Sequence, residues 1–183
     1  MKKLFFLFIL LFSVSSFGQY AIVSAVDLKE GSESEYLKTE KFWGPLHKRA
    51  IEDGVQTQQA VWKVIQTNDE RENPADYFII TSFSSKEQLE NYSSADFGAY
   101  AQEVYRGKMS RRAITRMFEN SPNSSNVRRN YHLEAVSRTI LAGGGLVPGD
   151  RMSITSTIAK SDEFETWETE IIKPMVEKEI LMG

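Results

Sequence analysis

From Tyr20 onward the chain alternates short runs rich in β-branched residues with longer stretches whose apolar positions recur three and four apart. Tyr20 to Asp27 (YAIVSAVD) predicts a strand, and Leu28 to Ser34 a polar loop in which Ser32 or Ser34 caps the next element. A helix is expected over Glu35 to Asp53, with Gly54 where a C′ glycine belongs. Val55 to Ile65 reads as strand, Thr67 to Ala75 as a loop broken by Pro74, and Asp76 to Phe83 (DYFIITSF) as the clearest strand of the chain. Ser84 or Ser85 with Glu87 opens a short helix, Lys86 to Tyr92, and Ala95 to Glu119 continues as a longer helical segment. Asn120 to Asn126 (NSPNSSN) reads as a linker. Beyond it come a strand over Val127 to Leu141, a glycine-rich loop over Ala142 to Asp150, a strand over Met152 to Ile158 and an amphipathic helix over Ser161 to Met182.

The first six of these elements have the split βαβ order of a ferredoxin-like α+β sandwich, an antiparallel sheet with helices on one face. An extra C-terminal strand and helix come after them. The expected organisation is one α+β domain over residues 19–183, with a ferredoxin-like first unit at 19–119 and a partial second unit at 127–183. An internal echo motivates the second unit. Ile22, Ser24 and Val26 precede Tyr36-x3-Glu40-x2-Trp43, then Pro45, Ile51 and Gly54; Ile154, Ser156 and Ile158 precede Phe164-x3-Glu168-x2-Ile171, then Pro174, Ile180 and Gly183. If the echo is a repeat, its second copy lacks the strand that succeeds the helix in the first, and its sheet needs strands from elsewhere.

The segment before Tyr20 changes the picture of where the protein works. Lys2 and Lys3 form a positive head, Leu4 to Phe12 is an unbroken apolar run, and Ser16-Phe17-Gly18 supplies small residues for a signal peptidase. Nine apolar residues span only about 14 Å as a helix, against a hydrocarbon core of about 30 Å. Residues 1–18 are therefore expected to be a signal peptide cut after Gly18, giving a periplasmic or secreted protein with no membrane segment once the leader is removed. The leader holds five of the eleven phenylalanines, and without it the chain has a net charge of −5. Cysteine is absent, which removes disulfides, thiol catalysis and thiolate metal sites. Nucleic acid is not an expected partner for an exported acidic chain.

Candidate chemistry sits on the first helix. At 100° per residue, Lys38, Lys41, Lys48, Arg49 and Glu52 cluster on one side, while Phe42, Leu46, Ala50, Trp43, Tyr36, Ile51 and Leu37 sweep the other. Glu40 and His47 fall inside the apolar arc, two turns or about 10.5 Å apart along the axis. An unpaired buried carboxylate is costly, so Glu40 is expected to be hydrogen-bonded, protonated or facing a cavity. Pro45, eased by Gly44, removes a helix hydrogen bond and is expected to bend the axis. A bent helix carrying Tyr36, Glu40, Trp43 and His47 has the composition of a small-molecule pocket against the sheet. The plain alternative is a satisfied core histidine and a paired core carboxylate. Other motifs are poorer: there is no metal-binding histidine spacing, Gly143 to Gly145 lacks a phosphate-loop ending, and no Gly-x-Ser-x-Gly elbow occurs. Arg106 to Arg138 carries eight basic and two acidic residues, a patch that matches the acidic C-terminal helix or an anionic ligand. No metal and no cofactor are expected.

The element order, together with Tyr36-x3-Glu40-x2-Trp43-x-Pro45-x-His47, Trp62 on the next strand and Tyr77 on the third, resembles the dimeric α+β barrel superfamily. Within it, roughly residues 20 to 118 are similar to antibiotic-biosynthesis monooxygenase-type and NIPSNAP-like domains. The resemblance implies two sheets paired into a barrel, as a homodimer or by internal repeat, with a pocket between each sheet and its helices. It carries over no catalytic residue, because these families share no single site. Three functional readings are open. One is a binding or accessory protein whose pocket, lined by Tyr36, Glu40, Trp43, His47, Trp62 and Tyr77, holds a small apolar or aromatic molecule. Another is a cofactor-independent oxygenase or isomerase with His47 as general base and Glu40 orienting it. The third is an interaction module without a pocket.

Overall fold

The computed structural model describes residues 20–67, 74–136, 149, 151–155, 161, 163–175 and 178. Residues 1–18, expected to be a signal peptide, lie outside the described residues. The chain divides into two compact units with the boundary between Glu134 and Ala135.

The first unit runs β1 (Tyr20–Leu28), α1 (Glu33–Glu52), β2 (Gln58–Lys63), β3 (Tyr77–Phe83), α2 (Lys86–Asn91), a 3-10 turn (Tyr92–Ser94), α3 (Phe97–Val104), α4 (Arg111–Asn120) and β4 (Ser125–Glu134). The four strands form one sheet in the order β2-β3-β1-β4, each neighbouring pair antiparallel. That order with helical crossovers is the ferredoxin-like α+β sandwich. The fourth strand belongs to this unit rather than opening a second one at 127; it begins earlier than the pattern predicts, and residues 137–141 of the predicted strand lie outside the described residues. The reason is local: the NSPNSSN stretch is a tight turn rather than a linker, with Ser124 buried and its carbonyl accepting from Lys29 N–H at 2.9 Å. This bond holds the start of β4 beside the end of β1.

Register fixes which side chains share a face. Val26 lies opposite Tyr77 and Arg128, Ser24 opposite Ile79 and Asn130, and Ile22 opposite Thr81 and His132. This row faces α1, because Val26, Tyr36 and Tyr77 pack together with Leu28 and Ile79 at its edge. The other face carries Val23, Phe78, Ile80 and Trp62.

Helix α1 is continuous through Pro45. It buries Tyr36, Thr39, Phe42, Leu46 and Ala50, a stripe of three- and four-residue steps. Leu37 and Ile51 lie beyond its margins and are exposed, although the helical wheel includes them in the apolar arc. Proline removes the bond to the Lys41 carbonyl, and the neighbouring Phe42 carbonyl receives the Tyr105 hydroxyl at 2.8 Å. Gly54, at φ +72°, ends the helix as its left-handed cap, and Ser32 sits at the N-cap without a side-chain bond. The predicted helix over Ala95 to Glu119 is two helices, because Gly107 at φ +72° turns the chain between α3 and α4. In α2 the cap is Ser85, whose Oγ accepts from Gln88 N–H at 3.1 Å while Gln88 Oε1 accepts from Ser84 N–H at 2.7 Å. Gln88, not Glu87, closes that box.

The second core lies between α1, α3 and α4: buried Phe42, Leu46, Ala101 and Ile114 are ringed by Trp43, Phe97, Tyr105, Met117 and Phe118. Phe42 stacks on Tyr105 at 5.1 Å and meets Phe118 edge-on at 5.5 Å.

In the second unit, Met152 to Thr155 are not in a strand, and Ser156 to Ile158 lie outside the described residues. The predicted helix is present as α5 (Phe164–Trp167), widening into a π-helical turn at Glu168–Ile172, with its C-terminal part outside the described residues. Of the echo's second copy, Ile180 and Gly183 are also outside them. Among the described residues no helix is long and apolar enough to cross a membrane.

Candidate functional site

Tyr36 and Glu40 are one turn apart on the sheet-facing side of α1. Tyr36 is 1% exposed, and its ring lies 4.7 Å from that of Tyr77. Its hydroxyl interacts with the Glu40 carboxylate but has no partner at full hydrogen-bonding geometry. Burial pushes the Tyr36 phenol above its ordinary range, and the Glu40 charge adds to this. Glu40 is half-buried. Burial raises its carboxyl above the usual carboxylate range, against the opposing pull of Arg128 and the Tyr36 hydroxyl. Arg128 reaches this cluster from β4, on the sheet row that faces α1, and is itself exposed. One step along that row, Ser24 Oγ donates to Asn130 Oδ1 at 2.7 Å. The cluster therefore grades from a buried phenol through a half-buried carboxyl to an exposed guanidinium at the edge of the sheet.

Tyr77 adjoins this cluster with its hydroxyl already engaged. It donates to Glu33 Oε1 at 2.6 Å, the same oxygen that Lys63 Nζ meets at 2.6 Å. Those bonds hold the Glu33 carboxyl below the usual range, the Lys63 bond contributing most. The trio latches β2 and β3 to the first turn of α1 and leaves the Tyr77 hydroxyl already bonded.

Trp43 and His47 belong to different surroundings. The Trp43 indole N–H donates to Ser121 Oγ at 2.8 Å, and its ring meets Phe97 and Phe118 edge-on at 5.7 Å and 5.1 Å. His47 packs against Trp43 at 5.8 Å and Phe97 at 5.4 Å, with Nδ1 3.2 Å from Gln56 Oε1. With the Gln56 amide in this orientation Nδ1 carries the proton. Burial lowers the imidazole below its ordinary range, opposed by the Gln56 bond. The partners of Glu40 and of His47 are thus separate sets, and the structure does not join the two as a base and its orienter.

Trp62 is removed from the proposed lining altogether. Strand alternation pairs Lys63, not Trp62, with Tyr77; Trp62 pairs with Phe78 on the opposite face of the sheet. Its indole N–H is buried there without a partner. The six residues expected to line one pocket therefore divide three ways. Arg128 and Asn130, which the sequence pattern does not single out, stand on the row that faces α1. Their signal is present in the polar alternation Arg128, Asn130, His132, Glu134 along β4, but only the pairing with β1 turns that row toward α1.

A recess of about 440 Å³ lies elsewhere, walled by Gly54, Val55, Ser84, Gln88, Asn91 and Ala95. Gln88 spans it, donating to the Gly54 carbonyl at 2.6 Å, which makes it a pinned junction between α1 and α2. Among the described residues, no three of His, Cys, Asp and Glu group as a metal site would require.

No family model matches the chain, and no curated protein matches it. Solved structures do. A dimeric ferredoxin-like protein from an uncultured marine organism is 17% identical, covering 69% of this chain and 96% of its own, at a TM-score of 0.45. A dimeric protein of unknown function and ferredoxin-like fold from Bacteroides fragilis is 8% identical, covering 63% and 94%, at 0.40. A Nitrosomonas europaea protein described as a candidate antibiotic biosynthesis monooxygenase is 6% identical, covering 64% and 99%, at 0.39. Likeness at this level carries no argument about function. By its own strand order the chain has the α+β ferredoxin-like fold, and it is similar to proteins described as dimeric and ferredoxin-like.

Proposed function

We propose that the chain is an exported homodimeric protein that binds a small apolar or aromatic molecule carrying a hydrogen-bond acceptor, at the Tyr36–Glu40–Arg128 cluster. The observation that carries this reading is the Tyr36 hydroxyl, 1% exposed and without a full partner, beside a carboxyl that burial pushes above the usual carboxylate range. A buried hydroxyl left in that state costs about 1–3 kcal/mol. A ligand acceptor would recover it, with Arg128 available to an anionic group at the open end. The apolar floor is supplied by Val26 and Ile79. Export rests on the leader, and a mature N-terminus at Gln19 in protein recovered after secretion checks it.

A second reading, a cofactor-independent enzyme, is favoured by the raised Glu40 carboxyl, since burial makes it a stronger proton acceptor than an ordinary carboxylate. In that reading Glu40 and not His47 moves the proton, since His47 is packed and bonded to Gln56. Both readings are tested by a thermal-shift screen of small aromatic phenols, ketones and carboxylic acids against the wild type, Tyr36→Phe and Glu40→Gln. Binding is expected to weaken about tenfold in Tyr36→Phe, the size of one buried hydrogen bond. Shifts that survive unchanged in both variants would remove the site. Turnover of a bound compound that Glu40→Gln abolishes and His47→Gln leaves intact would select the enzyme.

A further inference from the structure

The basic run that begins at Arg106 divides in the fold. Arg128 and Arg129 go to β4, whereas Arg106 and Lys108 stand on the turn between α3 and α4, and Arg111, Arg112 and Arg116 on α4 itself. The last five are all exposed, and none of their side chains has an ion pair or hydrogen bond among the described residues. Their framework is fixed. Lys108 and Met109 N–H both donate to the Tyr105 carbonyl, at 2.9 Å and 3.0 Å, around Gly107 at φ +72°. Ile114, Met117 and Phe118 hold the opposite side of α4 in the core. Nearby acids do not neutralise this face: Glu103 is taken by Arg49 Nε at 3.2 Å, the first turn of α4 has no acidic residue, and Glu119 lies three residues beyond Arg116. Cations grouped this way at the positive end of a helix dipole are unfavourable for the chain on its own.

We infer that the α3–α4 turn and the outer face of α4 dock a linear acidic polysaccharide, whose anionic groups pair with Arg106, Lys108, Arg111, Arg112 and Arg116. Four of the five are arginine, whose planar fork takes two oxygens of one anionic group. Charge balance favours a strand over a surface. Without its leader the chain has a net charge of −5, so five cations on this face leave ten net negative charges on the rest. A flat anionic membrane brings more of that acidic remainder within the Debye length, about 8 Å at physiological salt, while a polymer strand can touch the basic face alone. Nor is there an apolar anchor of the kind membrane-surface helices use, since no large hydrophobic residue from 105 to 120 is exposed. The same lack separates this face from single-stranded nucleic-acid sites, which stack bases on aromatic rings between the cations. These elements are distinct from those that carry the Tyr36–Glu40–Arg128 cluster, so the two sites stand or fall separately.

Equilibrium binding to polygalacturonate, which carries carboxylates, and to heparin, which carries sulfates, tests this, with neutral dextran as the blank. The wild type is expected to bind at least one acidic polymer and not dextran, more weakly at about 150 mM salt than at about 20 mM. Arg112→Glu combined with Arg116→Glu is expected to weaken binding about tenfold, and the neutral pair Arg112→Gln with Arg116→Gln about threefold. Lys38→Glu with Lys41→Glu makes the same charge change on the exposed side of α1 and is expected to stay within about twofold. Thermal melting checks that each variant is folded, as expected for exposed positions. Equal losses in the α4 and α1 pairs would mean attraction to cations in general and overturn the assignment. So would a wild type that binds neither acidic polymer, or one that binds only phosphatidylglycerol vesicles or a single-stranded oligonucleotide.

Discussion

Phe42→Ala is expected to destabilise the protein by about 3–5 kcal/mol, the cost of emptying a packed aromatic site. Phe42 is 5% exposed, stacked on Tyr105, and edge-on to Trp43 and Phe118, so no neighbour is free to collapse into the space. The loss reaches beyond one contact. Tyr105 also donates its hydroxyl to the Phe42 carbonyl next to the proline turn, and removing the ring beneath it loosens α1 where its own bonding is weakest. Urea titration should register the change, and thermal scanning should show a fall on the order of 15 °C. Leu37→Ala, on the exposed side of the same helix, should stay within about 0.5 kcal/mol and serves as control. A Phe42→Ala protein within about 1 kcal/mol of the wild type would mean that α1 is not anchored through the α3–α4 layer.

Glu40→Gln is expected to do the opposite and stabilise the protein near neutral pH, by about 0.5–2 kcal/mol, the common size of a single stabilising substitution. The sign comes from the carboxyl. Burial raises its folded pKa above the unfolded value of 4.5, so the native state holds the proton more tightly than the unfolded chain. Stability is then greatest in acid and declines as pH rises from about 4.5 through the raised value; in Glu40→Gln that decline is absent. His47 acts in the reverse direction. Its folded pKa lies below the unfolded value of 6.5, so stability present above about 6.5 is lost as pH falls toward the lowered value, and His47→Gln removes that part of the profile. Unfolding free energies of the three proteins from pH 4 to pH 8 separate the contributions. A Glu40→Gln protein less stable than the wild type across this range would make Glu40 a structural acceptor and withdraw the site.

The two polar residues on the apolar arc of α1 illustrate how far a helical pattern reads. Glu40 and His47 share a face of the helix, as their spacing requires, and both are partly withdrawn from water. Sharing a face does not make them partners, because seven residues along a helix is far enough to enter different packing layers. Glu40 meets the sheet row ending in Arg128, while His47 meets Gln56 and the aromatic layer of α3 and α4. His47 is packed against Trp43 and Phe97 with Nδ1 bonded to Gln56, while Glu40 shares the Tyr36–Arg128 end of the cluster.

Strand patterns read less far. Runs such as YFIITSF declare a strand through their β-branched residues, but all that joins Trp62 to Tyr77 in the sequence is that both are aromatic on adjacent strands. Register assigns them to opposite faces, and register depends on pairing between chain segments distant in sequence. The same holds for NSPNSSN, whose composition is that of a linker until the Lys29 bond to Ser124 closes it as a turn.

The order of β1, α1, β2 and β3, the left-handed glycine that ends α1 and the amphipathic stripe of that helix were determined by the sequence alone, because all three arise from local periodicity and backbone sterics. Only the tertiary structure decided the company each side chain keeps. Arg128 facing Glu40, Trp62 turned from Tyr77, and β4 completing the first sheet all depend on contacts between segments far apart in the chain, where long-range packing and strand register outweigh local preference.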